Sequence, residues 1–179
     1  MKIEKTFIED LLLISPTVFT DERGYFLESY NKKHLESMLD VDFVQDNESM
    51  SQKNVLRGLH FQKPPFSQGK LIRVITGSVM DVVVDLRKQS KTYGQHYKNV
   101  LSDKNKKQLY IPPGFAHGFL VLENKTIFSY KCTNYYKKDA EGAILWKDKT
   151  LNIDWHIEHP IISEKDKNAE IFANFTSPF

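Results

Sequence analysis

Cysteine is nearly missing: Cys132 is the sole one in 179 residues. That excludes an internal disulfide, and a lone thiol builds no thiolate metal cage. Long apolar runs are missing too. Leu11 to Ile14 is only four residues long, far short of the roughly 20 that a membrane-spanning helix needs. There is little charge excess, since 25 basic against 23 acidic side chains leave +2. No field for a polyanion follows from that balance, so nucleic acid is not the expected partner. Lys2 and Glu4 interrupt the first residues, unlike a signal or transit peptide. These absences predict a cytoplasmic protein, and 40% hydrophobic residues in a chain of this length predict one domain, 1–179, with its own core.

Turn residues are concentrated rather than scarce. Six of eight glycines and four of seven prolines fall between Gly58 and Gly118, punctuating short segments rich in Val, Ile, Tyr, Phe and Thr. Strands are predicted over Lys70–Thr76, Val79–Leu86, Tyr97–Leu101, Gln108–Ile111, Phe119–Leu122 and Thr126–Cys132. Helix signals are sparse. Asn31 opens a short helix through Leu39, with Leu35, Met38 and Leu39 on one face, and Ser163 with Asp166 resembles a capping box. The pattern predicts an all-β sandwich or barrel with a few short peripheral helices. Residues 171–179 are expected to be a loosely held tail.

Several residues suit chemistry, although each alone has an ordinary alternative. Arg23 and Arg57 occupy glycine-flanked turns, where a guanidinium grips phosphate bidentately or simply faces water. In Arg57-Gly-Leu-His-Phe-Gln62, alternation sets Arg57, Leu59 and Phe61 against Gly58, His60 and Gln62. His60 with Lys70 on the next strand makes a proton-transfer pair, or His60 is a satisfied core histidine. Pro112-Pro-Gly-Phe-Ala-His117-Gly resembles the second motif of cupin barrels. The first motif has Gln62 where metal-binding cupins carry a second histidine. His60 and His117 alone fall short of a catalytic metal set, so no metal is expected. Tyr130 shares a strand face with Phe128 and Cys132 and is either a proton donor or a core aromatic. Tyr135-Tyr136 offers ring faces for a base. Asp166 is a histidine-orienting carboxylate or part of a solvated charge run.

Together these segments resemble the dTDP-4-dehydrorhamnose 3,5-epimerase family. The matching blocks are Phe19-Thr-Asp-Glu-Arg-Gly24, Gln45-Asp-Asn47, Val55-Leu-Arg-Gly-Leu-His-Phe-Gln62, Gln68-Gly-Lys70, Gly114-Phe-Ala-His-Gly118, Tyr130-Lys131, Glu141-Gly142, Leu145-Trp-Lys-Asp148 and Ser163-Glu-Lys-Asp166. The resemblance implies a cupin-like double-stranded β-helix (jelly roll), a homodimer and no cofactor. The implied activity is that of an isomerase in dTDP-L-rhamnose biosynthesis for cell-surface polysaccharide, inverting C3 and C5 of dTDP-4-dehydro-6-deoxy-D-glucose. Residue by residue, it makes His60 the base oriented by Asp166, Tyr130 the acid on the opposite face, and Lys70 the stabiliser of the enolate oxygen. Arg23, Glu28, Gln45, Asn47, Arg57, His117, Glu141 and Lys165 match substrate-contacting positions, with the Arg23 to Glu28 stretch contributed across the dimer. Glu48, Lys149 and His156 depart from residues frequent in the family. The rival expectations are an epimerase of one carbon on another nucleotide-linked 4-keto sugar, and a non-catalytic cupin that binds a sugar nucleotide.

Overall fold

Strand-forming sequence dominates, and the computed structural model, which describes residues 1–35 and 39–179, folds it into two facing antiparallel sheets. One sheet runs in the order β1 (Lys2–Lys5), β2 (Leu12–Ser15), β10 (Gln108–Ile111), β7 (Lys70–Thr76), β12 (Thr126–Cys132) and β5 (Gln45–Ser51). The other runs β13 (Glu141–Ala143), β6 (Leu56–Gln62), β11 (Phe115–Val121), β8 (Ser78–Asp85) and β9 (His96–Ser102). A hairpin of β3 (Val18–Asp21) and β4 (Gly24–Leu27) pairs only with itself. This is the expected cupin-like all-β architecture. No helix among the described residues is long and apolar enough to cross a membrane.

Alternation sorts side chains into two layers. Between the sheets, Ile72, Val74 and Phe128 meet Val79, Val83, Phe115 and Phe119. Phe119 and Phe128 stack 4.2 Å apart across that interior. The opposite face of the second sheet is also covered: Leu59, Phe61, Val82 and Val84 pack beneath Trp146, Trp155 and the C-terminal segment. Burial on both faces is why β8 reads as a nearly unbroken apolar run, with all eight residues buried.

The last nine residues are not a loose tail. Phe175 and Phe179 set their rings edge-on against Phe61, at 5.4 and 6.0 Å. Buried Ser177 donates its hydroxyl to the Leu86 carbonyl, and Lys88 N–H donates to the Phe179 carbonyl. Three phenylalanines in nine residues were the overlooked signal. Among the described residues, helix is confined to α1 (Lys32–Leu35), α2 (Glu164–Lys167) and two 3₁₀ turns. Leu35 and Leu39 are buried as expected, whereas Met38 lies outside the described residues. Ser163 caps α2, its Oγ accepting from Asp166 N–H at 3.1 Å.

One irregularity rearranges the predicted strand faces. On β11, His117 and Phe119 are two residues apart, yet they pair with His60 and Arg57, three apart on β6. The extra residue is a bulge, which reverses the facing of everything before it. Arg57 therefore lies opposite the inward-facing Phe119 rather than sharing the outer face of Leu59 and Phe61. Two glycines allow the close approach. A Cβ on Gly58 would stand 2.5 Å from the Gly118 Cα, and Gly58 holds φ at +128°. Gly118 thus sits inside a strand from Phe115 to Val121 that the sequence reading started only at Phe119. Gly58→Ala is expected to cost about 2 kcal/mol or more, read as a lowered denaturation midpoint; an unchanged midpoint would refute the close-packing account.

Candidate functional site

The polar residues of the interior open onto a cleft of about 240 Å³, walled by Gln45 and Asn47 from β5, His60 from β6, Lys70 from β7, Tyr130 and Cys132 from β12, and Glu141 from β13. Gln68 and Tyr136 complete its mouth. Residues spread over about a hundred positions converge because β6 and β7 belong to opposite sheets whose inner faces meet there.

His60 is part of a dyad. Its Nε2 lies 2.6 Å from Asp166 Oδ1, although the two are 106 residues apart. Asp166 is only 2% exposed, and its other oxygen accepts from Gly58 N–H at 3.3 Å. Burial by itself would raise the carboxyl pKa. The hydrogen bond and charge of His60, with the Gly58 and Ser163 bonds, outweigh it and hold Asp166 below the usual carboxylate range. An ionised Asp166 accepts from Nε2–H and leaves the lone pair on Nδ1.

Tyr130 and Lys70 have the opposite character. Burial raises the Tyr130 phenol, Cys132 and Glu141 add to the shift, and Arg57 opposes it, so the hydroxyl keeps its proton at neutral pH. Burial lowers the Lys70 ammonium, against the attraction of Cys132, Asp81 and Glu141. Its Nζ stands 5.8 Å from the Tyr130 ring centroid. A lone pair, a retained phenolic proton and a cation thus share one cleft. Those are the groups that general acid–base chemistry at a carbon beside a carbonyl calls for: a base, a cation for an oxyanion and a proton donor.

Other expected residues take different positions. His117, the β-pair partner of His60, is buried beneath the cleft, bonded through Nε2 to Asp81 Oδ2 at 2.8 Å and stacked on Phe128. Lys165, beside Asp166 on α2, forms an ion pair with Glu141, which also accepts from Tyr136 Oη at 3.1 Å. Arg57 donates to Ser51 at 3.2 Å. Arg23 is paired with Asp21 in the β3–β4 hairpin, and Glu28 contacts Asn31 and His34; neither lines this cleft.

Gln62 is a framework residue. Its amide donates to the carbonyls of Phe66 and Tyr135 and accepts from Lys137 N–H, joining the two loops of the cleft mouth. Among the described residues, no three His, Cys, Asp or Glu side chains gather as a metal cage. Asp81 was overlooked although its signal is plain, a lone acid between Met80 and Val82 in an apolar strand.

Comparison with known proteins gives a consistent result. The sequence model of a family described as dTDP-4-dehydrorhamnose 3,5-epimerase matches residues 5–174. A dTDP-4-dehydrorhamnose 3,5-epimerase of Shigella flexneri is 51% identical over 176 residues, 97% of each chain. A crystal structure of the same-named enzyme from Elizabethkingia anophelis superposes with a TM-score of 0.92 at 51% identity, again over 97% of both chains. The structure of a dTDP-6-deoxy-D-glucose-3,5-epimerase from Legionella pneumophila in complex with dTDP-4-keto-L-rhamnose has a TM-score of 0.93 at 45% identity. That match covers 98% of this chain and 94% of the other.

The dyad has a thermodynamic consequence. Asp166 has a lower pKa folded than unfolded, so it stabilises the fold above the unfolded value of about 3.9, and that contribution disappears as pH falls through the folded value. Wild type is expected to be more stable than Asp166→Asn at pH 7, with the gap closing below about pH 4. Thermal melts across that range measure the gap, and a constant difference contradicts an ionised, bonded Asp166.

Proposed function

The chain belongs to the dTDP-4-dehydrorhamnose 3,5-epimerase family, and from that premise we propose how its cleft inverts C3 and C5 of dTDP-4-dehydro-6-deoxy-D-glucose to give dTDP-4-dehydro-L-rhamnose. The protein is an isomerase, and the reading assigns it to the cytoplasm. The observation that carries the mechanism is the Asp166-oriented imidazole of His60 in the same cleft as Lys70 and a protonated Tyr130.

Hydrogens on C3 and C5 flank the C4 ketone, so removing either sends negative charge to the C4 oxygen. His60 Nδ1 takes the proton, and Asp166 stabilises the imidazolium that forms. Lys70 places its charge at the developing enolate oxygen, where low dielectric makes it count for more than in water. Tyr130 returns a proton from the opposite face, which turns exchange into inversion. Gln45, Asn47 and Glu141, which wall the cleft, are assigned to substrate contact, as are Arg57, His117 and Lys165, which lie outside its lining. In deuterated water, the dTDP sugar is expected to gain deuterium at both C3 and C5. His60→Asn should lose about 10²–10⁴-fold in rate, whereas Tyr130→Phe should exchange deuterium faster than it inverts. NMR of the products reads all three, and exchange at only one carbon contradicts the double inversion.

A homodimer is the assembly that brings Arg23 and Glu28 to a cleft. The β3–β4 hairpin pairs with no other strand, and Phe19, Tyr25 and Phe26 on it are 61%, 58% and 66% exposed. Apolar surface of that kind marks an interface. A hairpin lent to a second copy would cover it and deliver Arg23 to the partner's site. Mixing inactive Arg23→Ala with inactive His60→Asn should then restore about a quarter of wild-type activity, because half the dimers are mixed and each holds one intact site. No recovery after subunit exchange contradicts the shared site.

A further inference from the structure

The acid inside β8 has no part in the mechanism above. Asp81 is 1% exposed; its Oδ2 is bonded to His117 Nε2, while Oδ1 is buried without a hydrogen-bond partner among the described residues. From the facing sheet, Lys70 turns into the same interior with no hydrogen bond or ion pair to any described residue. Each group therefore carries unused bonding capacity in a low-dielectric space. Asp81 lies in register with inward-facing Phe119, between the inner-core residues Val79 and Val83 of β8, and Lys70 enters the cleft between the sheets from β7. The charge of each favours the charged form of the other.

The surroundings single out Asp81 as the balancing charge. Lys70 is faced by Tyr130 and Cys132 from β12, Glu141 from β13, His60 from β6 and Asp81 from β8, with His117 of β11 behind Asp81. Gln45 and Asn47 of β5 are neutral, and β10 places Ile111 beside it. Burial raises both Tyr130 and Cys132, which keeps them neutral at pH 7. Glu141 is already engaged by Lys165 and Tyr136. Asp166 is committed to His60, Gly58 and Ser163 N-cap geometry around α2. Burial also raises Asp81, and the charges of His117 and Lys70 oppose that rise. Two buried groups that each resist ionisation alone relieve one another when both are charged.

We propose that Asp81 is a positioning residue for the epimerisation, the buried counter-charge that keeps the Lys70 ammonium protonated and, through Nε2, fixes the ring of His117. The inference rests on the function proposed above, in which Lys70 stabilises the enolate. Losing the Asp81 charge makes deprotonation of Lys70 easier, so the alkaline fall in kcat moves to lower pH.

The experiment compares kcat–pH profiles on the dTDP-4-keto sugar for wild type, Asp81→Asn and Asp81→Glu, with Asp81→Asn repeated in a Lys70→Arg background. Asp81→Asn is expected to lose about 10²-fold in kcat at pH 8, keep KM near wild type and show the shifted alkaline limb. Asp81→Glu retains the charge and should restore the limb. In Lys70→Arg, whose guanidinium does not titrate, the lysine limb is absent and Asp81→Asn should leave the remaining pH profile unmoved. A limb unmoved by Asp81→Asn, or moved equally without a lysine, overturns the role. If Asp81→Asn does not fold, Asp81→Val removes the same charge and is read against the same two outcomes. Wild type exchanging deuterium while the limb stays fixed sinks Asp81 alone; wild type failing to exchange sinks the function and Asp81 with it.

Discussion

One hydrogen bond, from the His60 imidazole to the Asp166 carboxylate, joins the start of the barrel to its end. It fixes the tautomer that leaves the Nδ1 lone pair free, as the proposed base requires, and it requires α2 to sit against β6. That seating depends on ordinary local chemistry. Ser163 caps the single turn, and Gly58 N–H, freed by the bulge, occupies the second carboxylate oxygen. The bulge exists because Gly58 and Gly118 have no side chains. The geometry of the proposed site descends from two missing methyl groups and one serine.

The fold was legible because strand sequence is periodic and the punctuation is glycine and proline. Lys70–Thr76, Gln108–Ile111 and Thr126–Cys132 are formed at the expected limits, since their β-branched, aliphatic and aromatic residues fill one or both faces of the pleat, Gln108–Ile111 being buried throughout. Strands without such a pattern were missed: β5, Gln45–Ser51, is wholly polar apart from Met50, and its inner residues face the cleft instead of a core. The bulge was equally invisible. Sequence alternation assumes an unbroken pleat, and one extra residue put Arg57 on the other side.

For the site, residue identities suggested roles but could not establish proximity. Asp166 looks like one more charge in Ser163-Glu-Lys-Asp166 until the fold brings it to His60. The family resemblance supplied that pairing in advance, and the coordinates supply its physical reason. Gln62 shows the converse. It occupies a position where other cupins hold metal, and here its amide joins two loops, which no local pattern distinguishes from ligand binding. Arg23 and Glu28 stay outside the cleft because a single chain displays its hairpin outward.

The interior resolves a conflict between stability and reactivity. A cleft dry enough to strengthen Lys70 against an enolate is also dry enough to strip the ammonium of its proton. Tyr130, the proposed proton donor, is neutral at pH 7 in any case, and that dryness only pushes it further toward its neutral form. Asp166 needs relief from it, and obtains relief from two hydrogen-bond donors at the edge of the barrel, His60 and Gly58. The same medium must therefore hold a phenol neutral, a carboxylate charged and an amine charged. Hydrogen bonds achieve this for the carboxylate, but the Lys70 ammonium has none among the described residues, so in our proposal its charge is held at longer range by an opposite charge with a free oxygen. Asp81, enclosed in valines and half unpaired, is in the place where that requirement can be met.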